Sequence, residues 1–154
     1  GGLVTPLEFA EELARNMSLI NEKMIRKGEI DTKKKMDILS TRAKYNMIGT
    51  VFSSQNTDWT VVYDTNEVLE EACFGRVVFV KPIDKLDKLE NFNNRKIQSV
   101  GCALDSKRRR DIIKRITRHG VDRCPKFGDM TLYESPWDGF FPIDKMVRWV
   151  KVYK

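Results

Sequence analysis

Apolar residues recur at three- and four-residue spacing in the first third of the chain, the signature of helices with one buried stripe. Phe9, Leu13, Met17, Ile20 and Met24 form the first stripe. Thr5-Pro6-Leu7-Glu8 precedes it. That run offers a capping threonine, a proline suited to the first helical position, and a glutamate that can reach back to complete a capping box. Gly28 is the expected stop. A second helix is expected from Asp31, with Met36, Leu39, Ala43 and Met47 facing inward and the methionines serving as core filler.

The period then shortens. Gly49 to Asp58 is polar and turn-rich and reads as a loop. Trp59 to Tyr63 is β-branched and aromatic, a strand. Val77 to Val80 is a continuous apolar run ended by Pro82, which suits a strand buried on both faces. Asp84 to Phe92 is expected to form a short helix, and Ile97 to Leu104 another buried strand. Asp105 should cap a helix with Ile112, Ile113 and Ile116 inward, closed by His119-Gly120, and Val121 to Cys124 should form a further short strand. Strand–helix–strand alternation at this spacing predicts a parallel α/β sheet. At the end of the chain Ile143, Met146, Val147 and Val150 share a helical face flanked by Trp149, so the tail should pack on the sheet or on a partner subunit. Trp137-Asp138-Gly139 should anchor the preceding loop: a buried Trp, an Asp accepting hydrogen bonds, and a Gly in a conformation that disfavours a side chain.

Composition narrows the function classes. The 154 residues, 41% hydrophobic and 32% charged, suffice for one core but not for a two-domain dehydrogenase. Residues 1–154 are therefore expected to be a single domain or part of one. No run is long and apolar enough for a membrane span. The opening Gly1-Gly2-Leu3-Val4 lacks the features of a secretion signal, and the missing initiator Met fits processing or a segment of a longer protein. The net charge of +6 raises a nucleic-acid partner. The basic runs Lys33-Lys34-Lys35 and Lys107-Arg108-Arg109-Arg110 lack the interleaved aromatics of a base-stacking surface, so solvated helix faces are the preferred reading. Arg108 to Arg110 fall in first helical turns, unfavourable against the dipole; that placement would suit a phosphate-facing patch, although a solvated face is again preferred. Cys73, Cys102 and Cys124 have no metal-ligand spacing, and His119 is the sole histidine, so no metal site is expected. An odd cysteine count argues for reduced thiols in the cytoplasm, and all three read as structural rather than reactive. Adjacent Glu70 and Glu71 point apart on any regular element and make a poor acid/base pair.

Several stretches together resemble the LuxC-type acyl-CoA reductases, a branch of the aldehyde dehydrogenase superfamily. They are Trp59-Thr60-Val61-Val62-Tyr63, Gln98-Ser99-Val100-Gly101, Gly120-Val121-Asp122-Arg123, Trp137-Asp138-Gly139 and the closing Val147-Arg148-Trp149. Leu69 to Asp87 resembles the superfamily run Glu-Glu-Ile-Phe-Gly-Pro, with one extra residue between Glu71 and Phe74 and Arg76 in the proline's place. The resemblance implies a three-layer α/β fold with a mostly parallel sheet, the C-terminal portion of an aldehyde dehydrogenase-like catalytic domain. It implies NADPH-dependent reduction of a fatty acyl thioester to the aldehyde through an acyl-cysteine. Glu71 and Phe74 are the nearest matches to the residues that contact the nicotinamide ribose and ring, although the Phe-Gly register puts Ala72 at the Glu position. Ser53-Ser54-Gln55 echoes the family's nucleophile run, but Phe52 stands before it and it holds no thiol. The nucleophilic Cys is therefore expected upstream of Gly1, as is the glycine-rich dinucleotide loop. The chain alone is expected neither to catalyse nor to bind NADPH tightly. Its implied partners are the thioester substrate and the remainder of the catalytic domain, with room for a homo-oligomer. The competing reading is a stand-alone basic module that binds nucleic acid or an acidic partner.

Overall fold

The computed structural model describes residues 3–23, 30–66, 68–70, 73, 75–85, 97–137 and 139–153. The chain divides into two compact units, Gly1–Asp84 and Lys85–Lys154.

In the first unit, helix α1 spans Pro6–Lys23 and helix α2 Thr32–Ile48. Both starts are as expected. Thr5 N donates to Glu8 Oε2 at 2.7 Å while Glu8 N donates to Thr5 Oγ1 at 3.2 Å, the reciprocal capping box. Asp31 caps α2 by accepting from Lys34 N at 2.9 Å. Strands β1 (Thr50–Ser53), β2 (Thr60–Tyr63) and β3 (Val77–Val80) follow, in sheet order β1-β2-β3. β1 pairs with β2 antiparallel, with Phe52 opposite Val61, and β2 pairs with β3 parallel, with Val61 opposite Val78. The sheet is thus mixed rather than mostly parallel. β1 lies in the stretch expected to be loop.

Helices cover both faces of this sheet. On one face Ala10 and Ala14 of α1 bury with Trp59, Val61 and Val80, joined by Leu13, Met17, Phe52 and Tyr63. On the other, Tyr45 of α2 meets Phe79 edge-on at 5.3 Å and Arg42 bonds Thr60. The inward faces differ from those expected. Leu13 and Met17 face the core, but Phe9 and Ile20 are exposed, because the two alanines let α1 approach the sheet closely and the larger neighbours fall outside the contact. Met24 and Gly28 lie outside the described residues. In α2 the inward set is Ile38, Arg42 and Tyr45, whereas Met36, Leu39, Ala43 and Met47 are exposed. Gly49 turns α2 into β1 where a Cβ would stand 2.6 Å from the Tyr63 carbonyl oxygen, so only glycine fits that junction. The β3 run is half-buried at Val77, Val78 and Phe79 rather than fully enclosed.

In the second unit, helix α3 spans Ser106–Ile116 and runs into a 3-10 turn at Thr117–His119, ended by Gly120 at φ +91°. Asp105 caps it, accepting from the amides of Lys107 and Arg108 at 3.0 Å each. Ile112 and Ile116 bury against Cys102 and Val121, with Ile97, Val100, Leu104 and Cys124 around them. Ile113 is half-buried. The two segments expected as strands here, Ile97–Leu104 and Val121–Cys124, do run parallel, but meet only in isolated bridges, Ser99 with Arg123 and Cys102 with Lys126. The hydrogen bonds explain the interruption. Arg123 N donates to Gln98 O, Val100 N to Arg123 O and Cys102 N to Pro125 O. The missing rung in that zigzag would need an N–H from Pro125, which has none. Of the expected Asp84–Phe92 helix, residues 86–92 lie outside the described residues, and Asp84 and Lys85 are not helical.

The closing helix α4 is only Pro142–Met146, and Val147 continues extended at φ −112°, ψ 151°. Five residues are too few to align the four apolar positions, so Ile143, Met146, Val147 and Val150 are all exposed and Trp149 is 85% exposed. The closing segment is thus not the single amphipathic helix that the sequence predicts. Trp137 is half-buried rather than a core anchor. Tyr133 stacks on its ring at 4.9 Å, and the Arg123 guanidinium lies 3.9 Å from the ring centre. Arg123 also donates to the carbonyls of Met130 and Leu132 and so gathers the loop around the Trp. Gly139 takes φ +78° with Asp122 Oδ1 2.8 Å from where a Cβ would lie, as expected of a position that disfavours a side chain. Asp138 lies outside the described residues.

Candidate functional site

The residues with chemistry in the first unit gather at the two ends of the parallel pair β2 and β3. At the amino ends, Arg42 reaches from α2 into the sheet. Its Nε donates to Thr60 Oγ1 at 2.9 Å, Nη1 to Ser54 O at 3.2 Å and Nη2 to Trp59 O at 3.0 Å. Burial lowers its pKa and the Asp58 charge opposes that shift. Beside it, Arg76 Nη1 donates to Asn21 Oδ1 at 3.2 Å and Asn21 Nδ2 to Asp58 Oδ2 at 3.1 Å. Arg76 itself stands at φ +60° after Gly75 at φ +94°. A non-glycine residue there is strained, and the strain is held by Thr60 N donating to Arg76 O at 3.0 Å.

At the carboxyl ends, where open α/β sheets commonly bind ligands, Lys81 Nζ donates to Asp64 Oδ2 at 2.6 Å and to Asn66 O at 2.9 Å. Asn66 N donates to Asp64 Oδ1 at 2.9 Å. Burial raises the Asp64 pKa, but the bonds from Lys81 and the Asn66 amide and the Lys81 charge outweigh it, and the net shift is downward. Both carboxylate oxygens are thus committed to holding the turn after β2. Between these ends, Lys44 Nζ lies 3.5 Å from Glu70 Oε2 and 4.8 Å from the centre of the Tyr45 ring. The Tyr45 hydroxyl is buried with no hydrogen bond among the described residues; burial first, then Glu70, pushes its pKa up.

Cys73 is half-buried, with the Thr41 hydroxyl 3.8 Å from its sulfur. Cys102 is buried in the apolar cluster under α3. Burial and the neighbouring Cys102 raise the Cys124 pKa, against the opposing charge of Arg109. A catalytic thiol needs the reverse shift. Among the described residues no group of three or more His, Cys, Asp or Glu side chains could hold a metal ion, and no helix is long and apolar enough to cross a membrane.

The sequence model of the acyl-CoA reductase (LuxC) family matches residues 1–149. The chain belongs to that family. No curated protein matches it.

Membership raises the question of whether the described residues fit the NADPH implied for LuxC reductases. A dinucleotide's pyrophosphate needs free amides at a helix N-terminus reached through a glycine-rich loop. Here Thr5, Asp31 and Asp105 already cap α1, α2 and α3, and none of these helices follows such a loop. The described residues therefore do not form a pyrophosphate cradle. Glu71 and Phe74, expected from the superfamily resemblance to contact the nicotinamide, lie outside the described residues. Their neighbours Glu70, Cys73, Gly75 and Arg76 lean on α2 and open β3. What sequence reasoning missed is Arg42. Its charge masked an inward position, and the signal available was its spacing from Ile38 and Tyr45.

Proposed function

We propose that this chain is the portion of a LuxC-type acyl-CoA reductase that follows the catalytic cysteine, supporting the acyl site without supplying the nucleophile. The observation that carries this is the family match over residues 1–149. In the reaction proposed, a cysteine accepts a fatty acyl group from its thioester and the nicotinamide supplies the hydride that releases the aldehyde. The buried or half-buried thiols and the upward-shifted Cys124 support a nucleophile located outside these 154 residues. Both units are read as parts of one aldehyde dehydrogenase-like domain, with the small mixed sheet as one portion of a larger sheet. Large apolar side chains left exposed in each unit, Met36 and Met47 in the first and Met146 and Trp149 in the second, support surfaces that the remainder of the domain covers. Glu71 and Phe74 are proposed to face the nicotinamide side.

The test is to incubate the 154-residue chain with a long-chain acyl-CoA and NADPH and to follow the absorbance of the reduced nicotinamide. No turnover is expected. Turnover that disappears in Cys73→Ala or Cys124→Ala would overturn the reading and put the nucleophile inside the chain.

A further inference from the structure

A cavity of about 820 Å³ opens in the second unit between the Cys102–Ser106 segment, α3 and the Lys126–Phe127 turn. Its size falls within the range of small-molecule clefts. Two kinds of wall meet there. Cys102, Leu104, Ile113 and Phe127 supply apolar surface, while Arg109, Arg110, Lys114 and Lys126 supply four cations. One carboxylate, Asp105, lines it as well. That carboxylate is committed to the amides of Lys107 and Arg108. None of the four cations forms an ion pair among the described residues. Arg109 is fixed by its Nη2, which donates to Cys124 O at 2.6 Å, and its Nε is buried without a hydrogen-bond partner. A guanidinium N–H buried and unmatched costs free energy until an acceptor reaches it. The basic run of α3 is therefore not wholly a solvated face, because two of its arginines line the wall of a half-apolar cleft.

We propose that this cavity binds a phosphorylated organic ligand, the phosphate against Arg109, Arg110, Lys114 and Lys126 and the organic part against Leu104, Ile113 and Phe127. Arginine and lysine recognise phosphate by charge-assisted hydrogen bonds, and the apolar floor selects for a ligand with a carbon body over a bare anion. Asp105 occupies the first amides of α3, so recognition falls on side chains rather than on the helix terminus. The inference is argued from the second unit's own geometry and does not need the reductase reading to hold, although acyl-CoA and NADPH are themselves ligands of this chemical class.

Phosphate with an adjoining organic group is found in both nucleotides and phosphopantetheine, so the chain is titrated with adenosine diphosphate, 4′-phosphopantetheine and inorganic phosphate. Titrations are followed by calorimetry at low salt and at about 150 mM salt. One organic phosphate should bind at least about tenfold more tightly than inorganic phosphate, and which one does so identifies the source. Arg110→Gln with Lys114→Gln should weaken binding about tenfold; both side chains are exposed and hold nothing in the fold. Ala103→Trp, at the exposed mouth, should weaken the organic ligand and spare inorganic phosphate. Lys33→Gln with Lys34→Gln, far along the sequence on α2, should change nothing. Equal binding of organic and inorganic phosphate, equal losses in the α2 and α3 variants, or no binding of any probe would overturn the proposal.

Discussion

Arg42 donates from three nitrogens to three separate acceptors on the β1–β2 side of the sheet. A lysine keeps the charge but cannot serve acceptors spread around a planar fork. Arg42→Lys should therefore leave buried oxygens unmatched and lower stability by about 2 kcal/mol, read as a shift in the urea midpoint at unchanged slope. Asp64 makes a pH-dependent contribution. Its folded pKa is depressed, so its stabilisation is complete above the unfolded value of about 3.9 and fades as pH falls through the folded value. Thermal stability should drop with acid in that window, and Asp64→Asn should flatten the dependence while costing about 3 kcal/mol at neutral pH by stranding Lys81. Trp137, which the sequence suggests as an anchor, is less enclosed than Trp59. Trp59 is buried in the α1 cluster, whereas Trp137 is held by Arg123 and Tyr133 at a half-open position. Trp59→Ala should cost about 3–5 kcal/mol; Trp137→Ala should cost about 1 kcal/mol, the scale of a stacking contact. A larger loss at Trp137 would show that its loop is the anchor after all.

Helix ends were legible in the sequence because caps are local. Thr5-Pro6-Leu7-Glu8, Asp31, Asp105 and His119-Gly120 each act through neighbours a few residues away. Helix faces were less so, because a face is chosen by what it meets. In α1 the close approach of Ala10 and Ala14 outranks the larger Phe9 and Ile20, and in α2 a charged residue takes the inward place. Ala10→Leu should thus destabilise by about 2 kcal/mol through overpacking, while Met47→Ser should stay within about 0.5 kcal/mol; both are measurable by chemical denaturation. β1 was missed because its four residues sit in a polar stretch, although Thr50-Val51-Phe52 carried β-forming character. The broken ladder at Pro125 is legible in the sequence, since a proline whose N–H would face the partner segment removes one rung. The candidate cofactor residues Glu71 and Phe74 came from resemblance alone, as no local pattern specifies a ribose contact.

At the scale of the whole molecule, the LuxC match sets the family, and burial pushes the Cys124 thiol up, the reverse of what a nucleophile needs. The proposal places the nucleophile of the reaction elsewhere in the polypeptide. The most direct measurement takes a polypeptide carrying these 154 residues together with the upstream part of the domain that the proposal requires. It is treated with a long-chain acyl-CoA without reductant, so that the acyl-enzyme accumulates, and the label is located by peptide mapping. The thioester is expected on a cysteine outside residues 1–154, and its discharge on adding NADPH should leave Cys73, Cys102 and Cys124 unmodified throughout. A dischargeable acyl group on any of those three would contradict the central claim.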